Sequence, residues 1–219
     1  MCIRDSANSL EAAVAAFALT LGSPIFDPNL VASKAVIIAD DGIVAAGGNR
    51  HETDLIALYE FKTGEGFTAL DTSGVDPATN LRLSSESLWM SNWGLEFDGG
   101  TSKAQAFVED SEKLHNLIRA TGEYSIEAWV VPGNVSQEGA NIVSYSGSTM
   151  LRNFTLSQSL YNYDFFNRTT STDDNGEDAL STADADQDLQ AVLQHVVITY
   201  SPISGRKIFV NGVSTDDVD

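Results

Sequence analysis

Cysteine is nearly missing from this chain: one residue in 219, at position 2. A single cysteine closes no intrachain disulfide and builds no multi-cysteine zinc site. The opening residues Met1-Cys2-Ile3-Arg4-Asp5 resemble the translated end sequence of a transposon used to prepare sequencing libraries, so residues 1–6 are expected to be a non-native scar. On that expectation the native part has no thiol, and a cysteine nucleophile is excluded as well. Basic residues are scarce, 12 Lys and Arg against 31 Asp and Glu, for a net charge of −19. Nucleic acid and anionic membrane both require clustered Lys and Arg, so neither is an expected partner. Of the three histidines, His51, His115 and His195, the first lies in the predicted linker, so a three-histidine metal site is not expected. No apolar run reaches the roughly 18 residues of a membrane-spanning helix. A missing signal peptide carries no information on export where the chain opens inside a longer gene.

What is present is a strand-rich pattern. With 42% hydrophobic and 20% charged residues, the chain can bury one substantial β core. Residues 122–132, GEYSIEAWVVP, crowd Tyr, Ile, Trp and Val between Gly122 and Pro132-Gly133, the pattern of a central strand. Tyr124, Ile126, Ala128 and Val130 alternate with Trp129 and Val131, so both faces are predicted to be covered, with Trp129 and Trp93 in the core. Short strands are also predicted at 55–61, 81–83 and 89–97, the last closed by Asp98-Gly99-Gly100, and at 141–146, 153–156 and 164–167. Residues 169–188 are polar and acidic and read as an exposed loop. Residues 194–200 and 206–210 flank Ser204-Gly205, and Asn211-Gly212 is a strong hairpin signal. One helix interrupts the strands at 111–120, with Ser111 as cap, Leu114, Leu117 and Ile118 on one face and His115 at the surface. Upstream, residues 7–21 are Ala-rich with Leu10, Val14, Phe17 and Leu21 at helical spacing, which predicts an amphipathic helix begun by Asn8 or Ser9. Residues 22–50, with Pro24, Pro28, a short VIIAD run and Gly47-Gly48, read as a linker, so 7–50 is expected to be the tail of an upstream segment.

Four blocks, LIALYEFKTGEGFTALDTSG, GLEFDGG, EYSIEAWVVP and LQHVVITYSPISGRKIFVNG, run in that order from Leu55 towards the end. Together they resemble the laminin G-like family of the concanavalin A-like jelly roll, in its bacterial multidomain form. The resemblance implies an all-β fold over 51–219: a two-sheet antiparallel jelly-roll sandwich with one short helix, preceded by the helical and linker segment. It also implies closing strands beyond Asp219, so that the chain is expected to be cut at both ends. As function it implies a non-catalytic carbohydrate-binding or adhesion module of a larger secreted bacterial protein. Such a module is extracytoplasmic, and its partners are a glycan or cell-surface protein and further domains of its own chain. A part of a polysaccharide-degrading enzyme and a structural spacer or protein-interaction domain remain open beside it, since a fold constrains a ligand weakly.

Chemistry rests on few residues. A glycoside hydrolase needs two carboxylates about 5–9 Å apart, and the closely spaced Glu-x-Asp-x-x-Glu strand motif is absent. Glu127 stands alone on the central strand and suits a hydrogen-bonding role; His195 lacks a nearby nucleophile and suits sheet packing. No catalytic residue is assigned. Calcium takes hard oxygen ligands, in which the chain is rich. Asp184, Asp186 and Asp188 copy the start of a helix-loop-helix calcium loop, but Leu189 and His195 stand where its Gly and Glu belong, and the motif is rejected. The run Asp173-Asp174-Asn175-Gly176-Glu177-Asp178 can bend several oxygens together. The resemblance implies a structural calcium near a sandwich rim, with Asp71 and Asp98 as its ligands, although Asx turns account for both. Sugar stacking calls for exposed aromatics; Trp89, Tyr145, Tyr161 and Tyr163 are the candidates, joined by Asn167 and Arg168 in the polar and aromatic segment 162–168.

Overall fold

A computed structural model describes residues 2–4, 11–20, 36–39, 42–45 and 54–219, apart from 91–93, 100 and 149. The predictions for Trp93, His51 and most of 22–50 lie outside the described residues. In chain order the strands are β1 (Cys2–Arg4), β2 (Glu11–Thr20), β3 (Val36–Ala39), β4 (Gly42–Ala45), β5 (Leu55–Tyr59), β6 (Thr68–Ala69), β7 (Leu81–Leu83), β8 (Leu95–Asp98) and β9 (Lys103–Gln105). After helix α1 (Val108–Thr121) come β10 (Tyr124–Pro132), β11 (Glu138–Ser148), β12 (Leu151–Ser159), β13 (Asn162–Asn167), β14 (Leu180–Ser181), β15 (Gln194–Ser201), β16 (Gly205–Val210) and β17 (Val213–Ser214).

These strands form two antiparallel sheets. One runs β14-β13-β12-β11-β1-β9-β7-β6; the other runs β17-β16-β15-β10-β2-β5, with β8 also on β2. Strands β3 and β4 pair with each other. The fold is thus the expected all-β jelly-roll sandwich. Its inner faces supply one hydrophobic cluster that includes Tyr59, Leu81, Leu95, Phe97, Phe154, Tyr163 and Phe165. Full burial of each large side chain contributes roughly 1.5–3 kcal/mol.

Strand β10 is central, between β15 and β2, as its composition predicts. Tyr124, Ile126, Ala128 and Val130 all join the core. The prediction of cover on both faces is overturned: Glu127, Trp129 and Val131 point to the outer side and are partly exposed. A two-layer sandwich has only one interior, and the alternation of β10 sends Glu127, Trp129 and Val131 to the outer side, where only Ser125 at the start of the strand is covered.

The predicted helix over 7–21 is also overturned. Glu11–Thr20 is a strand, paired with β10 on one side and with β5 and β8 on the other. The segment carries both periodicities, because Leu10, Val14, Phe17 and Leu21 fall at helical spacing while Phe17 and Leu19 alternate. In the sheet they register with the core-facing positions Ala128 and Ile126 of β10. Helix preference is worth at most about 0.7 kcal/mol per ordinary residue, and two flanking strands outweigh it. Residues 2–4, set apart above as scar, pair between β11 and β9.

Helix α1 begins three residues before its predicted start. Phe107 occupies the N-cap without a side-chain cap bond, and Ser111 instead donates Oγ–H to the Val108 carbonyl at 2.8 Å. Gly122 ends it as expected, left-handed at φ 73° with its N–H on the Ile118 carbonyl. Leu114 is buried, Leu117 and Ile118 pack against the core, and His115 is exposed. The Asn211-Gly212 turn has both residues at positive φ, 52° and 81°, the geometry of a two-residue hairpin.

The loop 169–188 is less exposed than its composition suggests, since Asn175, Leu180 and Thr182 are buried. Gly176, at φ 75°, brings its backbone against the end of β13, where an added Cβ would meet Asn167 N at 2.9 Å and Asn167 C at 3.0 Å. Gly176→Ala is expected to cost about 2 kcal/mol, from the left-handed backbone and a displaced strand end. Urea unfolding measures it; an unchanged midpoint would show the loop free to lift away.

Candidate functional site

The outer face of the seven-stranded sheet is where polar and aromatic chemistry converges. Pairing of β10 with β15 sets Trp129 opposite His195 and Glu127 opposite Val197. The Trp129 and His195 rings stack with centroids 4.7 Å apart and planes at 27°. On the diagonal, His195 Nε2 lies 3.0 Å from Glu127 Oε1. Both side chains keep contact with solvent, 14% for His195 and 28% for Glu127. The hairpin beyond holds the strand in place, with His195 N–H donating to Asn211 Oδ1 and Asn211 N–H to the His195 carbonyl.

Neighbouring strands extend this face. Strand β16 sets Phe209 opposite Val197 and Lys207 opposite Thr199, and β2 sets Ala16 and Ala18 opposite Trp129 and Glu127. At the far edge β8 adds Glu96 and Asp98, both exposed, on alternate positions to the buried Leu95 and Phe97. Chemically the face offers flat apolar rings, a carboxylate acceptor and an imidazole that fixes it. Glu127 and Glu96 stand two strands apart and four residues out of register, roughly 17 Å by strand geometry. That is too far for them to flank one glycosidic bond.

The sequence candidates fare differently. Tyr163 is fully buried, and its hydroxyl donates to Gln194 Oε1 at 2.8 Å; the ring is core. Burial pushes that phenol well up, with the Asp188 charge adding to it. Asn167 is also buried, accepting from the Tyr124 hydroxyl at 2.6 Å. Both face inward because β13 alternates, and neither reaches a ligand outside. Tyr145 packs on Phe154 and donates to the Ser111 carbonyl, joining β11 to α1. Trp89 is partly buried, with its indole N–H on the Gly66 carbonyl. Tyr161 is 41% exposed, and Arg168 is exposed and paired with Asp174 at 2.9 Å. These two lie at opposite ends of β13, roughly 24 Å apart along an extended chain, so the six candidates do not form one site.

Asp71 is corrected as a metal ligand. Its Oδ1 accepts from Leu58 N–H and Ser73 N–H, and its Oδ2 from Thr79 N–H, each at 3.0 Å. Oδ2 also meets the Lys113 ammonium at 2.6 Å, with side-chain exposures of 0% for Asp71 and 3% for Lys113. A buried cation already occupies the place a calcium would need. Asp98 accepts from the Ser102 hydroxyl. Among the described residues no three His, Cys, Asp or Glu side chains converge to hold a metal ion.

Sequence reasoning passed over Trp129, Glu127 and His195 as a group. Glu127 and His195 are 68 residues apart. The available signal was Glu127 itself: a charged residue on a strand marks that side as the wetter one, and Trp129 shares its parity.

The family model described as the concanavalin A-like lectin/glucanases superfamily, a laminin G-like family, matches residues 98–218, more than half of the chain. No curated protein and no solved structure matches it.

Proposed function

The chain belongs to the laminin G-like family of the concanavalin A-like lectin/glucanase superfamily, and from that premise we propose that it is a non-catalytic carbohydrate-binding or adhesion module of a larger secreted bacterial protein, working outside the cytoplasm on a glycan or glycosylated surface. The observation that carries the reading is Trp129 on the outer face of the central strand, stacked on His195 beside a partly exposed carboxylate. An indole presented beside hydrogen-bonding groups suits the apolar face and the rim hydroxyls of a sugar ring. Isothermal titration of the chain with soluble polysaccharides tests it. Saturable binding that Trp129→Ala removes is expected, and no binding to any glycan would end the reading.

A structural calcium now rests on the Asp98 turn and on the acidic run 173–178. Unfolding with calcium and with chelator tests that part: an ion bound to the native state raises the midpoint by mass action, and coincident curves remove it from the account.

Hydrolysis is the second reading, and Glu96 and Asp98 are the observation that favours it. Two residues apart on one strand face, their Cα atoms are roughly 7 Å apart, close enough for the two side chains to set their carboxyl groups at the roughly 6.5–9.5 Å separation of inverting glycosidases. Reducing ends released from a bound glucan, and lost in Glu96→Gln, would put this reading first; none is expected.

A further inference from the structure

We infer that the loops at one end of the sandwich dock a basic segment of a partner protein, one in which Lys or Arg residues are interleaved with aliphatic or aromatic ones. The surface uses none of the residues on which the glycan reading rests. Its centre is apolar: Leu160, Tyr161, Val192 and Leu193 are 44%, 41%, 52% and 46% exposed. Leu160 and Tyr161 make the turn between β12 and β13, where Ser159 faces Asn162, and Leu160 N–H donates to the Gln137 carbonyl in the loop after β10. Leu189 N–H donates to the Tyr161 carbonyl at 2.9 Å. Gln194 then folds the next stretch back on itself, its Oε1 accepting from Gln190 N–H and its Nε2 donating to the Asp188 carbonyl. Val192 and Leu193 crest that loop, so the four side chains fall in one patch. Exposed apolar residues scattered singly need no explanation, but a cluster marks a surface for a partner. The turn points the same way. Two-residue hairpin turns with positive φ take Gly, Asn or Asp, as Asn211-Gly212 does, yet Leu160 holds φ 54°. A bulky residue there works against its backbone preference, and nearly half of its surface stays in water.

The rim of the patch sets the charge of the partner. Asp184 accepts from Asn162 Nδ2, next to Tyr161, and Asp186 and Asp188 lead into Leu189. Asp217 comes up to Asp188 from the C-terminal segment: burial, then the charges of Asp186 and Asp217, push the Asp188 carboxyl up. Asp188 Oδ2 and Asp217 Oδ2 are both screened from solvent and accept no hydrogen bond. Among the described residues none of these four carboxylates is in an ion pair; on adjoining β16, Arg206 is held by Asp219 and Lys207 pairs with none of them. Four like charges without a counter-charge, set beside an apolar patch, complement an ammonium or guanidinium group on its apolar stem. A neutral glycan leaves that charge unanswered. A second copy of the chain, at net charge −19, is repelled by it.

The test is selection of random peptides displayed on phage against the full chain at physiological salt, followed by titration calorimetry with the leading synthetic peptide. Enriched sequences are expected to carry several Lys or Arg interleaved with aliphatic or aromatic residues. Tyr161→Ser combined with Leu193→Ser should weaken the leading peptide about tenfold. Asp186→Asn combined with Asp217→Asn should weaken it several-fold and flatten its salt dependence. Glu109→Gln combined with Glu112→Gln removes the same charge from α1 instead and should leave affinity within about twofold. Circular dichroism confirms the fold of each variant. No enrichment, or enrichment of peptides without Lys and Arg, would overturn the inference. So would a leading peptide indifferent to the Tyr161 and Leu193 changes, or one as sensitive to the α1 pair as to the aspartate pair, which would reduce it to attraction by net charge. A neutral hexasaccharide that displaces the peptide, and whose own binding is lost in Tyr161→Ser, would give the patch to a sugar and overturn it as well.

Discussion

Asp71→Ala is expected to lower the stability of the chain by about 3–5 kcal/mol, because it leaves a buried ammonium without its counter-charge. Lys113 Nζ retains only the Val75 carbonyl, at 2.7 Å. Three backbone donors, at Leu58, Ser73 and Thr79, lose their acceptor in the same step. The clasp also ties distant parts together. Tyr59 donates to the Thr79 carbonyl and the Thr79 hydroxyl to the Asp110 carbonyl, so β5, the turn after β6 and α1 meet around one carboxylate. Removing both charges, as in Asp71→Leu with Lys113→Met, should cost less than the two single changes added together, since neither charge is then stranded. Urea denaturation of the wild type, Asp71→Ala, Asp71→Leu, Lys113→Met and the double variant measures this, and a loss below about 1 kcal/mol for Asp71→Ala would mean that water reaches the ammonium.

Acid unfolding gives the same clasp a second readout. Burial raises the Asp71 pKa, but the Lys113 ammonium and the backbone N–H groups of Thr79, Leu58 and Ser73 outweigh it and hold the carboxyl below its usual range. A group depressed in the folded state contributes its stability above its unfolded pKa, near 4, and loses it as pH falls through the folded value. Stability of the wild type should therefore decline with acid in that window, and Asp71→Ala should show a shallower decline.

Tyr163→Ala should cost about 3–5 kcal/mol, the loss of a buried aromatic from a close-packed core. Its hydroxyl is a smaller matter. Gln194 Oε1 also accepts from Gln190 N–H, so Tyr163→Phe leaves that oxygen partnered and should cost about 1 kcal/mol. The pair of variants separates core from contact. Tyr163→Phe should bind glycan as the wild type does, and a binding loss in this folded variant would return Tyr163 to the ligand.

How far each prediction reached depended on how local its cause was. The Asn211-Gly212 hairpin and the Gly122 helix end follow from backbone freedom at single residues, and both stand as read. The alternation Tyr124, Ile126, Ala128, Val130 likewise marks a core face without reference to any neighbour. Segment 11–20 satisfies two local patterns at once, and the choice between helix and strand fell to β10 and β5, which are far away in sequence. Tyr163 and Asn167 lie in a polar and aromatic run that resembles a binding surface, yet β13 turns them inward to meet Gln194 and Tyr124.

The sequence by itself determined that this chain is a strand-built, acidic, nearly cysteine-free laminin G-like protein, and where most of its strands from Leu55 onward run. Period-two alternation, turn residues and composition are properties of neighbouring residues, so they survive without a fold. Only the tertiary structure decided that Trp129 faces out, that Asp71 is occupied by Lys113, and that Glu127 meets His195 across 68 residues. Those facts depend on which strands pair and which face of each sheet is closed by the other layer. Both are settled by long-range packing, which no short stretch of the chain encodes alone.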